Sequence, residues 1–134
     1  MDLNQKVREQ LIEQAIKVRS LSYSPYSHYV VAAALLTESG KVFTGVNIEN
    51  SAYPTSICAE RVAIFKAVSE GERAFKAIAV VTDNGGSPCG SCRQVMAEFS
   101  QQMQVITADV NGRIYLDVPL DNLLPHAFTP EDLE

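Results

Sequence analysis

Four adjacent residues, Cys58-Ala59-Glu60-Arg61, put a thiol, a carboxylic acid and a guanidinium at the start of a stretch that continues as apolar "VAIFKAV". The only other cysteines, Cys89 and Cys92, lie in "SPCGSC". A lone buried cysteine is usually a small hydrophobe, but a pair at i and i+3 on a first helical turn points both sulfurs the same way. Such a pair binds a metal or forms a redox disulfide. A redox pair needs neither Cys58 nor an acid two residues after it. A catalytic zinc takes three protein ligands and keeps its fourth position for water, so Cys58, Cys89 and Cys92 make a complete set with no cysteine left over. Glu60 is then the candidate proton carrier.

The spacing imposes a geometric condition. Mid-helix, residues at i and i+2 point about 200° apart, so Cys58 and Glu60 reach one metal only if Cys58 stands at the helix mouth. Three thiolates on Zn²⁺ leave one net negative charge. Two helix N-termini aimed at the sulfurs would offset it, as would Arg61 bonded to a thiolate. The alternative for Arg61 is a surface ion pair.

The elements that must carry these residues follow from periodicity. Leu3, Val7, Leu11, Ala15 and Val18 predict a long first helix, which must stop before Pro25. "YVVAAALL" (Tyr29 to Leu36) reads as a strand covered on both faces, and Ser39-Gly40 turns it into "KVFTGVNI". A helix is expected from about Cys58 to Glu70, with Gly71 as its cap. "AIAVVT" is a third strand, a loop "DNGGSP" follows, and a helix from about Gly90 to Gln101 comes next. "MQVITA" and "RIYLDV" pair across Asn111-Gly112, before a tail with a short helix and an aromatic arm. The order α-β-β-α-β-α-β-β implies an α/β fold with a central mixed sheet and helices on both faces.

Length and composition agree. The 134 residues fit one domain, 1–134, and 46% hydrophobic against 20% charged residues can bury a core. A net charge of −5 argues against a nucleic-acid or acidic-membrane partner. No apolar run approaches the ~20 residues that span a bilayer, and the charged N-terminus lacks a signal-peptide core. Three cysteines, an odd number, suit a cytoplasmic domain with reduced thiols.

C-A-E followed by P-C-x-x-C is the zinc-deaminase signature, with cysteine as first ligand. From "YSPYS" through "GVNIENSAY", "CAERVAIFKAVSEG" and "SPCGSCRQV" to "LLPHAF" and "EDL", the chain resembles the small homotetrameric cytidine deaminases. The resemblance implies a three-layer α/β/α fold around a five-stranded mixed sheet and one Zn²⁺ per chain. It also implies hydrolysis of cytidine and 2′-deoxycytidine in pyrimidine salvage. By the same resemblance Asn47 and Glu49 would hold the ribose, Ala59 would offer its backbone to the base, and Glu60 would contact the ring nitrogen and amino group. Tyr29 would stack on the base. Phe128 would reach a neighbouring subunit's site, so that active sites are shared within a homotetramer.

Three positions depart from the family pattern: Tyr29 replaces the usual phenylalanine, Ala32 a glycine, and His126 the glycine of "LLPGAF". The nearest rival activity is deamination of a cytosine-nucleoside antibiotic such as blasticidin S. The intact "NIEN" and "EDL" favour cytidine. A polynucleotide editor would want a basic groove, and a non-enzymatic zinc module would need a fourth ligand, which neither His28 nor His126 supplies at ligand spacing.

Overall fold

A computed structural model describes residues 3–133. Its strands form one five-stranded sheet in the order β2-β1-β3-β4-β5, with β1 Ala32–Thr37, β2 Val42–Val46, β3 Phe75–Val81, β4 Gln104–Ala108 and β5 Ile114–Pro119. β1 runs antiparallel to both β2 and β3, β3 parallel to β4, and β4 antiparallel to β5. The one parallel pair needs a crossover, supplied by helix α3, Gly90–Phe99.

Alternation along β1 divides the core. Ala32, Ala34 and Leu36 pack with Leu11, Ile12 and Ala15 of α1 (Gln5–Val18). Ala33 and Leu35 face the other way, against Ala59, Ala63, Ile64 and Ala67 of α2 (Ala59–Ser69), together with Met96 of α3. All six β1 residues are buried, as a strand covered on both faces requires. Ala32 takes part in this packing as a fully buried residue of the α1 side.

The expected elements are all present, with ends shifted by local bonds. β1 begins at Ala32 rather than Tyr29 because the Asn47 side chain takes over the pairing there. Its Oδ1 accepts from Val31 N–H at 3.0 Å and its Nδ2 donates to the Tyr29 carbonyl at 2.7 Å. Gly71 ends α2 with φ +96°, and the bonds Gly71 N to Val68 O and Glu72 N to Ala67 O make a Schellman cap. The β4–β5 loop turns at Gly112, φ +85°, with Asp109 Oδ1 accepting from the Asn111 and Arg113 amides. A four-residue helix α4, Leu120–Leu123, precedes the arm. His126 there has φ +56°, a left-handed conformation that costs a non-glycine residue about 1–2 kcal/mol. The family pattern's glycine at this position is thereby explained. No helix among the described residues is long and apolar enough to cross a membrane.

One close approach sets the distance between α2 and the sheet. A Cβ on Gly45 would lie 2.6 Å from Ala63 N and 3.1 Å from Val62 Cβ, and would collide with the Ala59 carbonyl. Helix and strand backbones therefore touch at the first turn of α2. Gly45→Ala is expected to destabilise the protein by about 1–3 kcal/mol through overpacking. A drop of several degrees in the thermal midpoint together with loss of bound metal would verify that this contact seats the start of α2.

Candidate active site

Cys58 is the N-cap of α2, in extended conformation at φ −77°, ψ 151°, and Cys89 is the N-cap of α3, at φ −69°, ψ 168°. Cys92 follows one turn into α3 and is fully buried. Extended backbone at each cap turns the sulfur off the helix surface and past its end, the placement that the Cys58–Glu60 spacing demands. Neither helix has a side chain bonded to its first-turn amides. Two positive dipole ends thus meet where the sulfurs gather.

The three cysteines are free thiols whose sulfurs all lie within 4.8 Å of one another. Cys58 and Cys89 are 3.9 Å apart, Cys89 and Cys92 3.5 Å. Tetrahedral zinc with Zn–S of ~2.3 Å has sulfur–sulfur edges of about 3.8 Å, so the observed spacings fit a zinc ion and far exceed a disulfide bond. Acidity tells the same story. The Cys58 thiol is drawn down to about 5, chiefly by hydrogen bonding with Cys92 and further by Arg61. Cys92 is pushed up, chiefly by hydrogen bonding with Cys58 and then by burial. One thiolate at this spacing makes its neighbour keep its proton, and a divalent cation relieves that conflict.

Arg61 stands directly behind the cluster. Its Nη2 donates to Cys58 Sγ at 3.3 Å, and its Nε is buried with no partner among the described residues. The described ion pairs involve Arg8, Arg19, Lys41 and Lys76, not Arg61, so the surface-ion-pair alternative is set aside. Its charge is spent on sulfur.

Glu60 is only 4% exposed. Burial raises its carboxyl to about 7, the Cys58 charge adds to the rise, and its own backbone amide opposes it.

These groups open into a cleft of about 410 Å³, lined in part by Cys58, Glu60, Arg61, Cys89, Tyr29, Asn47 and Glu49. The structure therefore brings together seven of the residues singled out in the sequence. Ala59, fully buried, contributes the first turn of α2 behind them. Phe128 does not line this cleft. It is 58% exposed on the C-terminal arm, held there by the bond from Gln94 Nε2 to its carbonyl at 2.8 Å.

Glu49, which also lines the cleft, accepts from the Tyr26 and Ser27 amides at 2.9 and 3.1 Å, and from the Ser27 hydroxyl. The Ser27 bond lowers its pKa most, so it stays an ionised acceptor. Asn47 is more committed than its sequence context suggests. Its Oδ1 accepts from both Ser22 Oγ and Val31 N–H, and Nδ2 donates to Tyr29 O. One N–H remains for a ligand. Ser27, Thr82 and Gly86 also line the cleft and escaped the sequence reading. Ser27 in "YSPYSHY" carries a turn signal before the strand, but nothing local ties it to Glu49 22 positions on.

A sequence profile described as cytidine and deoxycytidylate deaminase zinc-binding region matches residues 5–108. The chain belongs to this deaminase family. It is 52% identical over 128 residues to the cytidine deaminase of Sporosarcina psychrophila, covering 93% of each. The crystal structure of cytidine deaminase from Burkholderia pseudomallei superposes with a TM-score of 0.85 at 42% identity, covering 94% of this chain and all of that one. The blasticidin-S deaminase of Bacillus cereus is more distant, 28% identical over 130 residues. The Tyr29 hydroxyl is bonded to Asn84 Oδ1 at 2.8 Å.

Two expectations follow for this deaminase. Alanine at Cys58, Cys89 or Cys92 should reduce bound zinc from about one per chain toward none, read by metal analysis of the purified variants. Zinc retained by all three would refute the ligand set. The second concerns Glu60. A folded-state pKa near 7 against an ordinary 4.5 means the native chain binds more protons between those values, so this group's contribution to stability falls as pH rises through that window. In chelator-treated protein Glu60→Gln should raise the melting midpoint at pH 8, by up to about 3 kcal/mol of stability, and much less at pH 5. Equal effects at both pH values would contradict the buried-carboxyl assignment.

Proposed function

We propose that the chain is a single zinc-dependent domain that hydrolyses cytidine and 2′-deoxycytidine to uridine and 2′-deoxyuridine with release of ammonia, serving pyrimidine salvage in the cytoplasm. The observation that carries this reading is three sulfurs within 4.8 Å of one another at a cleft lined by Cys58, Cys89, the buried Glu60 carboxyl, Asn47 and Glu49. Cys58, Cys89 and Cys92 would hold the metal. Bound there, zinc supplies the Lewis acidity that brings the deprotonation of water near neutral pH.

The remaining steps belong to this chain's residues. Deamination exchanges the C4–N bond of cytosine for a C4–O bond, and the protons of water leave on ammonia and on the ring nitrogen. Glu60 carries one proton of the water to N3 and the other to the departing amino group. Burial suits it to that work, because an acid titrating near neutrality can both accept and return a proton. The Ala59 amide, on the first turn of α2 with no carbonyl one turn back, would bond the base carbonyl. Tyr29 provides an aromatic wall for the ring. Glu49 accepts a hydrogen bond from the sugar 3′-hydroxyl, and the free N–H of Asn47 donates to a neighbouring sugar oxygen. Arg61 offsets the thiolate charge.

Phe128 lies outside its own chain's cleft, which supports its use by a neighbour in a homotetramer with shared sites. The antibiotic-deaminase alternative has less behind it, because that relative is less similar and Asn47 and Glu49 stand where a nucleoside sugar would be held.

Purified, zinc-loaded protein should deaminate cytidine and deoxycytidine, followed by the fall in cytidine absorbance, and leave single-stranded DNA and blasticidin S largely untouched. Glu60→Gln should keep zinc and fold while losing at least ~10²-fold in kcat. Glu60→Gln and Phe128→Ala, each impaired alone, should regain activity when their subunits exchange, because some sites then combine an intact Glu60 with a neighbour's Phe128. Robust turnover by Glu60→Gln would overturn the proton-carrier role, and no recovery on mixing would return each site to a single chain.

A further inference from the structure

The phenol of Tyr29 reaches across the cleft wall. Its hydroxyl donates to Asn84 Oδ1 at 2.8 Å, and the same oxygen accepts from Thr82 Oγ1 at 3.2 Å. Thr82 Oγ1 accepts in turn from the Gly86 N–H at 2.9 Å. Thr82 directly follows β3 and is 2% exposed, so this chain of bonds is anchored in the core. Asn84 and Gly86 belong to the loop that leads into Cys89. An aromatic group ahead of β1 is thereby tied to the segment that carries a sulfur of the metal cluster.

Gly86 shows how tight the junction is. Its φ is not left-handed, so its backbone does not call for glycine. A Cβ there would lie 2.7 Å from the Tyr29 hydroxyl oxygen, while the next atom, Asn84 Oδ1, would be at an ordinary 3.5 Å. The Tyr29 hydroxyl is the one neighbour that a Cβ here would crowd, so an alanine must push the phenol aside. Tyr29, Thr82 and Gly86 all line the cleft, so the junction is part of its wall.

We propose that Tyr29, Asn84 and Gly86 form a latch that fixes the width of the cleft beside Cys89, making the Tyr29 hydroxyl a positioning group that excludes pyrimidine nucleosides carrying an extra methyl on the ring or amino group. The choice of substrate rests on the deaminase reading; the latch itself does not. Tyr29 and Asn84 are exposed and Gly86 half-buried, so this wall is held by its bonds to the buried Thr82 rather than by packing. A pocket edge so fixed discriminates by roughly 10-fold per methyl. A phenylalanine at position 29 would keep the ring but lose its bond to Asn84, leaving the loop held only by Thr82.

The test is a mutant cycle on the zinc-loaded protein, with Tyr29→Phe, Asn84→Ala, Gly86→Ala and the Tyr29→Phe/Gly86→Ala double variant. Thermal melting is measured for each, with kcat/KM for cytidine, 5-methylcytidine and N4-methylcytidine. Gly86→Ala should lower both the melting midpoint and cytidine kcat/KM, and adding Tyr29→Phe should restore most of both losses, because the colliding oxygen is gone. Tyr29→Phe and Asn84→Ala should each narrow the preference for cytidine over at least one methylated nucleoside several-fold. A merely structural role would lower stability without moving that preference. Additive melting losses in the double variant would overturn the latch. An unchanged preference against both methylated nucleosides would overturn its selectivity. Coupled melting in a protein that turns over no cytidine would refute the substrate reading, and the selectivity with it, while confirming the latch.

Discussion

Three sulfurs held within 4.8 Å of one another are an electrostatic problem before they are a site. One thiolate at that distance suppresses ionisation of the next, which is why Cys58 and Cys92 are driven in opposite directions. A folded chain tolerates this only with positive charge supplied from several sides. Here it comes from the N-terminal ends of α2 and α3 and from the Arg61 guanidinium, and the sulfur spacing leaves room for a divalent ion to supply the rest. Removing any one source leaves the others to carry anionic sulfur in a partly buried place, where each uncompensated charge is expensive. Much of the architecture follows from bringing two helix starts to one point.

The sheet does this with very small residues. The first turn of α2 can approach β2 only because Gly45 has no side chain, and the α2 face turned to the sheet is built from Ala59, Ala63, Ile64 and Ala67. Across the sheet, Ala32 and Ala34 give α1 a similarly flat seat. The β3–α3–β4 crossover then sets the start of α3 beside that of α2. Arg93 fixes the loop between them, its side chain donating to the Pro88 and Leu123 carbonyls and to Ser87 Oγ. Metal geometry is therefore inherited from backbone packing.

The chemistry was legible in the sequence because it depends on residue type at short spacing. Cys58, Glu60, Cys89 and Cys92 declare themselves by their cost, and the helix-mouth condition on Cys58 follows from helical geometry alone. The fold was legible for the same local reasons: an all-apolar β1, a glycine cap after α2, and an Asn-Gly turn between β4 and β5. What the sequence concealed depends on partners far apart in the chain. Asn47 reads as a polar strand end, yet it replaces the first rungs of the β1–β2 ladder and spends most of its bonding capacity there. Gly86 reads as loop punctuation, although a hydroxyl 57 positions earlier is what a side chain there would crowd. Long-range complementarity of this kind leaves no periodic trace.

The distribution of charge along the cleft also bears on what can enter. The metal end concentrates anionic sulfur against Arg61, which is turned inward and bonded to Cys58, so little positive charge is presented outward. The opposite end carries ionised Glu49, fixed by three bonds from Tyr26 and Ser27. Added to a net charge of −5, this gives a cleft that repels phosphate at the position where a nucleotide chain would continue. A neutral nucleoside crosses such a field without penalty, and on the proposed reading its sugar hydroxyls would meet a carboxylate that is already oriented. A polyanion gains nothing from counterion release there and meets like charge at close range. If Glu49 holds the sugar, as proposed, preference for a small, uncharged substrate follows from the same carboxylate.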